Sequence, residues 1–340
     1  MRILVFEFIS GGGLAKQPLP DSLLQEGYLM RNALLDDLCV LTDVELLVLR
    51  DERIALDERK QNTRLQYLTI FCDTDIQALL SSKQSVYDIV WLIAPETDGI
   101  LAFWCDFFRK QGKNLATSAE NIVAICQDKF ATFIQLQNSA IPCVPSRLFN
   151  SSTVISNTKS VLKVNNSVGC DEVYLVESEQ HWQNILLKLR PEGQYIIQPY
   201  IDGKTLSLSC LFYQGQSYFI CCNEQHMNVD KQQFELLACT VNVQPEKAPT
   251  YQILCQKIAE AMPLLFGYVG IDFIQTDTGE NLILEINPRL TSSYVGIERA
   301  LGINIAELVL GMLNHQPPIL NRTKNQQVSI EFNQGNHYGQ

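Results

Sequence analysis

Three oxygen-bearing side chains and one arginine are concentrated between positions 270 and 289, where they could bind a metal ion and phosphate. They occur in two short segments, Gly270-Ile271-Asp272-Phe273 and Leu284-Glu285-Ile286-Asn287-Pro288-Arg289. Two carboxylates and an amide oxygen suit Mg²⁺, which usually binds through one or two carboxylates plus substrate phosphates. Arg289 adds a planar donor that fits phosphate oxygens. The spacing therefore indicates a site for a metal-bound phosphate compound.

A β-hairpin is predicted to bring these groups together. The apolar runs 269–274 and 282–286 are typical of strands, and they flank a polar turn. Because side chains alternate along a strand, Asn287 shares the face of Glu285, and Asp272 can lie beside it. The alternative is that Asp272 is a strand-edge carboxylate and Asn287 belongs to an ordinary turn. We favour the metal site, since an acidic residue in each of two apolar strands is costly unless it is paired or metal-bound.

The composition limits the class of protein. With 340 residues and 46% hydrophobic content, the chain can bury large cores in two or three domains. The net charge is −11, from 26 Lys and Arg against 37 Asp and Glu, and there is no basic run. This balance argues against nucleic acid or an anionic membrane surface as a partner. No apolar stretch approaches the roughly 18 to 20 residues of a membrane span.

The cysteines and histidines bear on compartment and chemistry. The 11 cysteines are odd in number, scattered and without a C-x-x-C pair. This pattern predicts reduced thiols in a cytoplasmic protein rather than a disulfide framework or a zinc site. The four histidines include no pair with ligand spacing, so a histidine-based triad is not expected.

Residues 1 to about 115 alternate strands and helices, which predicts a small α/β unit with a parallel sheet. The first strand is followed by a glycine run in which Gly11 and Gly12 are candidate substrate-binding residues, because ligands bind at the carboxyl ends of such strands. A flexible loop without a ligand is the equal alternative. At the other end, Pro, Asn and Gln dominate from Gln316 onward and predict a loose tail.

Taken together, the motifs resemble the ATP-grasp family over about residues 115–311. That family has an N-terminal α/β domain followed by two α+β lobes that clamp ATP. The resemblance therefore implies a fold of mixed α/β and α+β class with a Rossmann-like N-terminal domain. It implies a domain division of 1–115 for the N-terminal domain, 116–197 for the small lobe, 198–320 for the large lobe with the metal site, and 321–340 for a C-terminal tail.

The resemblance also assigns roles to the hairpin residues. Asp272, Glu285 and Asn287 fall at the family's metal-binding positions. Arg289 matches an arginine that in relatives contacts phosphate or the acyl-phosphate intermediate. The implied cofactors are ATP and Mg²⁺, with Mn²⁺ as the alternative metal.

Two lysines correspond to phosphate contacts of the family. Lys129 matches the first phosphate-directed lysine, although a solvated helix lysine is the alternative. Lys163 lies in an apolar strand, where an unpaired ammonium is costly, and a role at the α- and β-phosphates explains it better. The resemblance implies that Lys163 and Arg289 are the catalytic cations. The loop 165–171, with Ser167 and Gly169, would close over the phosphates through backbone N–H groups, although it has fewer glycines than usual.

The adenine and ribose contacts follow from the segment that joins the lobes. Tyr200 and Ile201 match residues that read adenine through backbone groups, and Gln198 takes the place of a common glutamate near the adenine amine. Asp202 is a candidate for the ribose hydroxyls. Ordinary turn chemistry explains Asp202-Gly203 equally well.

Segments 284–296 and 6–14 most resemble the branch that contains tyramine–glutamate ligases of methanofuran-type cofactor synthesis. This resemblance implies that Thr291, Ser292 and Tyr294 border the acceptor site, although a polar loop before a helix explains them too. It implies an ATP-dependent carboxylate–amine ligase acting through an acyl phosphate. The implied partners are L-glutamate, reacting through its side-chain carboxyl, and tyramine or tyrosine; a homo-oligomer is compatible with the sequence. The alternatives are a ligase for another amine and a non-catalytic nucleotide-binding regulatory protein.

Overall fold

The computed structural model describes residues 1–56, 59, 62–150, 159–167, 169, 172–190 and 192–332. The N-terminal domain is built on a five-stranded sheet whose neighbours are all parallel. Its strands are β1 (Arg2–Glu7), β2 (Glu45–Asp51), β3 (Leu65–Ile70), β4 (Ile89–Ile93) and β5 (Asn114–Leu115), in the order β3-β2-β1-β4-β5. The parallel α/β sheet predicted for residues 1–115 is confirmed, and all its strands point their carboxyl ends to one edge.

Helices cover both faces of this sheet, as parallel strands require. They are α1 (Asp21–Cys39), α2 (Ile76–Ser82) and α3 (Ile100–Lys110). The side chains of β1 alternate between the two faces: Ile3 and Val5 pack in the same core as Leu34 of α1. Leu4 and Phe6 point the other way, into a core shared with α3. Burial on both faces explains why the first strand reads as a continuous apolar run.

Two helices and four strands follow, with one more helix between the strands. They are α4 (Glu120–Gln127), α5 (Lys129–Asn138), β6 (Arg147–Leu148), β7 (Ser160–Val164), β8 (Val173–Val176), α6 (Glu179–Leu186) and β9 (Tyr195–Pro199). Helix α5 begins where the side chain of Asp128 accepts a hydrogen bond from the backbone N–H of Ala131. Trp182 and Ile185 of α6 pack on the strands of this small lobe.

The large lobe supplies the rest of an extensive antiparallel sheet. Its elements are β10 (Lys204–Tyr213), β11 (Gln216–Asp230), β12 (Gln233–Val243), α7 (Ala248–Ala261), β13 (Gly267–Gln275), β14 (Asn281–Asn287), α8 (Tyr294–Leu301), α9 (Ile305–Leu313) and β15 (Val328–Glu331). The sheet runs in the order β14-β13-β10-β11-β12-β8-β7-β9-β6, with β15 on β12. The two lobes are joined where Gln233 of β12 pairs with Tyr174 of β8. The predicted α/β domain followed by α+β lobes is confirmed.

The structure corrects the sequence-based interpretation at two places. The tail predicted to be loose contains β15, because Ile330 is buried in the core and the strand pairs with β12; residues 333–340 lie outside the described part of the chain. The apolar pattern predicts a helix to Phe266, but α7 ends at Ala261, since Pro263 disfavours helical geometry at Met262. None of the helices described is long and apolar enough to cross a membrane.

Candidate active site

The hairpin of β13 and β14 brings the predicted metal ligands together. Asp272 lies directly across from Glu285, and Gly270 lies across from Asn287. A bulge follows Asp272, so the strand register changes immediately beyond the carboxylate pair. The Asn287 side-chain amide donates to Asp272 Oδ2 at 3.0 Å. The proximity predicted from strand alternation is therefore observed, and the ligand role of these residues stays a prediction.

The two carboxylates have opposite electrostatic surroundings. Burial, followed by repulsion from Glu285, raises the pKa of Asp272 to about 8. Burial also acts to raise the pKa of Glu285, but the charges of Lys129 and Lys163, with the hydrogen bond to Asp272 and the charge of Arg289, hold that pKa below its usual value. A divalent cation beside both carboxylates would stabilise their charged forms.

The donor set fits a cation that takes its other ligands from water and phosphate. In the described part of the chain, no cluster of three or more His, Cys, Asp or Glu side chains could hold a metal ion. Asp272 and Glu285 thus offer two carboxylates, and Asn287 offers an amide oxygen. This set matches Mg²⁺, which keeps several waters and is usually held through one or two carboxylates plus substrate phosphates.

Both predicted phosphate-directed lysines are buried beside the carboxylates. Lys129 is the first residue of α5, is only 6% exposed, and places Nζ 3.5 Å from Glu285 Oε2. Its Nζ also donates to the backbone carbonyl of Ser167. Lys163, on β7, is likewise 6% exposed. Lys129 is therefore not a solvated helix lysine.

The loop predicted to cover the phosphates is described in part. Ser167 is buried, and Gly169 has a φ of 58° and lines the cleft. Val168, Cys170 and Asp171 lie outside the described residues. At the end of the loop, Glu172 accepts a hydrogen bond from the Tyr195 hydroxyl at 2.7 Å and pairs with Arg190 Nε at 2.7 Å. These two contacts of Glu172 were not predicted from the sequence.

Arg289 is held by the N-terminal domain. Its Nε lies 2.9 Å and 2.8 Å from the carboxylate oxygens of Glu96, and its Nη1 donates to the Leu290 carbonyl at 2.9 Å. None of the described residues accepts a hydrogen bond from Nη2, and the phosphate contact of Arg289 stays a prediction. Glu96 was missed from sequence, although it lies just beyond the carboxyl end of buried strand β4, where α/β proteins bind ligands.

Two further contacts to this loop and hairpin were also missed. Ser292 donates its hydroxyl to Glu26 Oε2 of α1 at 2.8 Å, across 266 residues of sequence. Gln225 of β11 donates to Asp272 Oδ1 at 3.1 Å. Neither residue lies in a recognisable motif, so only the assembled fold identifies them.

Many of these groups line one cleft of about 1740 Å³ between the N-terminal domain and the lobes, whereas Lys129, Ser167 and Glu96 are not among its lining residues. Most predicted site residues line it: Lys163, Gly169, Gln198, Tyr200, Ile201, Asp272, Glu285, Asn287, Arg289, Thr291 and Ser292. The N-terminal domain contributes apolar side chains, including Ile9, Leu23 and Met30. The cleft thus combines charged groups of both signs beside the hairpin with a wall at α1 that includes apolar side chains.

The segment predicted to bind adenine forms another part of the cleft. Gln198 is 4% exposed on β9, and its Nε2 donates to Ser146 Oγ at 2.8 Å. Tyr200 and Ile201 follow it along the cleft wall. Asp202 is exposed in the turn before β10 and is not among the lining residues, so the ribose contact stays a prediction.

Three predicted substrate residues are packed in the interior and do not line the cleft. A Cβ on Gly11 would lie 2.3 Å from the Glu7 carbonyl, and Gly12 has a φ of 91° against Ile70. Close packing beneath the sheet edge explains why glycine occupies both positions, because a side chain there would clash with its neighbours. Tyr294 is 2% exposed, and its hydroxyl donates to the Asp37 carboxylate between α8 and α1.

Two sequence families match the chain. A family described as an ATP-grasp domain matches residues 126–293. A pre ATP-grasp 3 domain matches residues 44–123. No curated protein matches the sequence.

Solved structures share the fold at low sequence identity. An ATP-grasp superfamily protein from Archaeoglobus fulgidus is 19% identical, with 97% of this chain and 92% of that chain covered and a TM-score of 0.69. The biotin carboxylase domain of 2-oxoglutarate carboxylase from Hydrogenobacter thermophilus, solved with MgADP and bicarbonate, is 13% identical, with 96% and 71% covered and a TM-score of 0.65. An L-amino acid ligase from Bacillus licheniformis is 14% identical, with 94% and 74% covered and a TM-score of 0.64.

Proposed function

We propose, since this chain belongs to the ATP-grasp superfamily, that it is an ATP-dependent ligase that joins a carboxylate to an amine. The observation that carries the proposal is the hairpin pair Asp272 and Glu285, with Lys129 3.5 Å from Glu285 and Arg289 lining the same cleft. Carboxylates beside several cations are suited to a magnesium-bound polyphosphate, because each charge finds an opposite partner.

The nucleotide has a defined place in this proposal. Asp272, Glu285 and Asn287 would hold Mg²⁺, and the MgADP in the biotin carboxylase domain supports that choice. The metal would neutralise charge on the phosphate oxygens during transfer. Lys129 and Lys163 bind phosphate oxygens as fixed cations. The adenine lies along the segment that begins at Gln198, with the backbone of Tyr200 and Ile201 as its hydrogen-bonding edge.

The reaction proceeds in two steps. A carboxylate oxygen of the acid substrate attacks the γ-phosphorus, a new P–O bond forms, and the bridging P–O bond to ADP breaks. The nitrogen lone pair of the amine then attacks the acyl carbon, the C–N bond forms, and the C–O bond to phosphate breaks. An ammonium substrate loses two protons, one of which is carried away on the phosphate and the other released to solvent. No protein nucleophile is needed, since positioning and electrostatics carry the rate.

The substrates that we propose follow from the branch resemblance. The acid is L-glutamate, reacting through its side-chain carboxyl, and the amine is tyramine or tyrosine, for a methanofuran-type cofactor. Ile9, Leu23 and Met30 give the cleft an apolar wall that suits an aromatic ring. Burying a ring contributes about 1.5 to 3 kcal/mol, which ammonia lacks. The described cysteines are all free thiols, which supports a cytoplasmic location.

Two other functions would use the same fold. A ligase for another amine would keep Asp272, Glu285 and Arg289 and differ in the wall formed by α1. A regulatory nucleotide-binding protein would need neither Arg289 nor a complete metal set. The presence of both favours an enzyme over a binder.

Trapping with hydroxylamine tests the proposal. Protein incubated with Mg-ATP, L-glutamate and hydroxylamine should release ADP and form glutamate hydroxamate, because hydroxylamine captures the acyl phosphate. Asp272→Asn is the matched inactive control. Activity with an unrelated acid or amine would keep the ligase and discard these substrates. ADP release that is independent of every acid tested would favour the regulatory binder.

A further inference from the structure

The carboxylate of Glu26 occupies the cleft wall formed by α1. Its Oε2 accepts the Ser292 hydroxyl at 2.8 Å, and the residue lines the cleft. No residue in the described ranges donates a hydrogen bond to the second oxygen, Oε1. The side chain is therefore oriented by one contact and keeps acceptor capacity for another.

Glu7, another carboxylate of the cleft, lacks this spare capacity. Glu7 also lines the cleft, but its two oxygens accept the backbone N–H groups of Ile9 at 3.0 Å and Ser10 at 2.6 Å. Gly27 packs against the same carboxylate, where a Cβ would lie 2.5 Å from Oε1. Glu7 is thus satisfied and enclosed by the N-terminal domain, whereas Glu26 has an oxygen that receives no hydrogen bond from the described residues.

Glu26 is close to the reacting end of the cleft. Ser292, its partner, follows Arg289 on the same loop, and the charges of Glu26 and Arg289 interact. Arg289 donates to Glu96 and not to Glu26, so it does not supply the missing hydrogen bond to Oε1 of Glu26. Burial raises the pKa of the Glu26 carboxyl, while the Ser292 hydrogen bond and Arg289 act in the opposite direction. Glu26 is only partly exposed and lines the cleft, so its second oxygen can accept charge-assisted hydrogen bonds from a bound ligand.

We propose that Glu26 binds the ammonium group of the amine substrate and thereby selects primary amines that carry an apolar body. The inference rests on the ligase function proposed above and assigns the amine to the α1 side of the cleft. An ammonium offers three donors, and its hydrogen bonds to a carboxylate are charge-assisted. Ile9, Leu23 and Met30 line the same region and accommodate the apolar body. Ser292 is the positioning residue, because it fixes Oε2.

Tyramine binding to the full chain with Mg²⁺ and a non-hydrolysable ATP analogue tests this role by titration calorimetry. Glu26→Gln keeps the size and removes the charge, and it should weaken tyramine binding roughly ten- to a hundredfold. Ser292→Ala should weaken it by a smaller factor, roughly two- to tenfold. Glu45→Gln is the matched control, because Glu45 is exposed at the start of β2, at the sheet edge away from the cleft. It should bind tyramine like the unaltered protein.

Glutamate hydroxamate formation by the same variants separates this role from loss of fold or loss of ligase chemistry. Hydroxylamine is neutral at ordinary assay pH, so its capture needs no carboxylate partner. Glu45→Gln should form hydroxamate at the unaltered rate, and hydroxamate formed by Glu26→Gln would show that this variant is folded and activates glutamate. Equal tyramine affinity in Glu26→Gln and Glu45→Gln would overturn the role of Glu26 and leave the ligase intact. Glu26-dependent tyramine binding without any hydroxamate would instead overturn the acid-activating chemistry and support the amine site. If Glu26→Gln does not fold, unchanged affinity in Ser292→Ala overturns the inference.

Discussion

Arg289 and Glu96 form an ion pair that joins the loop after β14 to the end of β4, with Nε 2.9 Å and 2.8 Å from the two carboxylate oxygens. Their side chains are only 12% and 5% exposed. Nearby, the Thr117 hydroxyl donates to the Pro288 carbonyl at 2.8 Å. Through Glu96, the N-terminal domain therefore sets the position of Arg289 beside the β13–β14 hairpin, in addition to forming one wall of the cleft.

Glu96→Gln should lower both stability and turnover. The substitution leaves a buried guanidinium without its counter-charge, a change that costs about 3 kcal/mol in typical cases. Because Arg289 would lose its orientation, kcat should fall more than KM for ATP rises. Urea unfolding and steady-state ADP release measure the two effects.

The exposed pair Arg2 and Asp88 provides the control for that experiment. Its side chains are 45% and 53% exposed, so Asp88→Asn should change stability little and leave turnover unaltered. Equal effects of Glu96→Gln and Asp88→Asn on kcat would contradict the positioning role of Glu96.

Asp272→Asn should abolish most activity without destabilising the metal-free protein. Burial and the facing Glu285 raise the pKa of Asp272 to about 8, so ionising this carboxyl costs the metal-free fold free energy that an amide does not cost. A metal ligand contributes several kcal/mol to phosphoryl transfer, which predicts a loss of roughly a hundredfold or more in ADP release. Asp277→Asn in the exposed turn of the same hairpin is the control. Near-normal ADP release by Asp272→Asn at ordinary Mg²⁺ would remove Asp272 from the ligand set.

Lys163→Met should weaken ATP binding while keeping much of the apolar stem. A buried charge-assisted contact is worth roughly 1.5 to 3 kcal/mol, which corresponds to about ten- to a hundredfold in affinity. Lys188→Met removes an exposed lysine from the same lobe and should have little effect. Nucleotide titrations that give the same affinity for both variants would return Lys163 to a structural role.

Asp37 should make stability depend on pH. Burial raises its pKa to about 7, against the hydrogen bond from Tyr294, and the charges of Glu298 and Asp36 raise it further. The folded protein then retains a proton that the unfolded chain releases near its ordinary pKa of about 3.9. The stability that this proton provides is complete below that value and is lost as pH rises to about 7.

Asp37→Asn removes the ionisable group, so the pH dependence of stability that Asp37 causes should disappear. The free energy of unfolding of the variant, relative to the unaltered protein, should increase between about pH 4 and pH 7. The limiting slope is about 1.4 kcal/mol per pH unit for one proton. Urea unfolding across this range checks the result, and parallel stability profiles for the two proteins would show that Asp37 titrates normally.

The hairpin was predictable because its chemistry is local. Asp272, Glu285 and Asn287 follow strand alternation and one turn, so their convergence could be derived from spacing. Their partners could not be derived in this way: Glu96 is 193 residues from Arg289 along the chain, and only the docking of the N-terminal domain brings them together.

The assignment of Tyr294 and the prediction of a loose tail differ from the structure for local physical reasons. The branch resemblance assigns Tyr294 to the acceptor site, but the position of α8 buries the ring and directs the hydroxyl to Asp37. Strand β15 was missed because its polar surroundings resemble a loose tail. The alternation that buries Ile330 is only four residues long, which is too short to distinguish from chance.

Mass spectrometry of the products is the most direct test of the central claim that the cleft joins a carboxylate to an amine at the expense of ATP. Purified protein with Mg-ATP, L-glutamate and tyramine should form one amide for each ADP released, and omission of either substrate should prevent amide formation. Asp272→Asn should form neither product at a comparable rate. If a panel of acids and amines gives no amide and no acid-dependent ADP, while ATP still binds, the ligase account is contradicted.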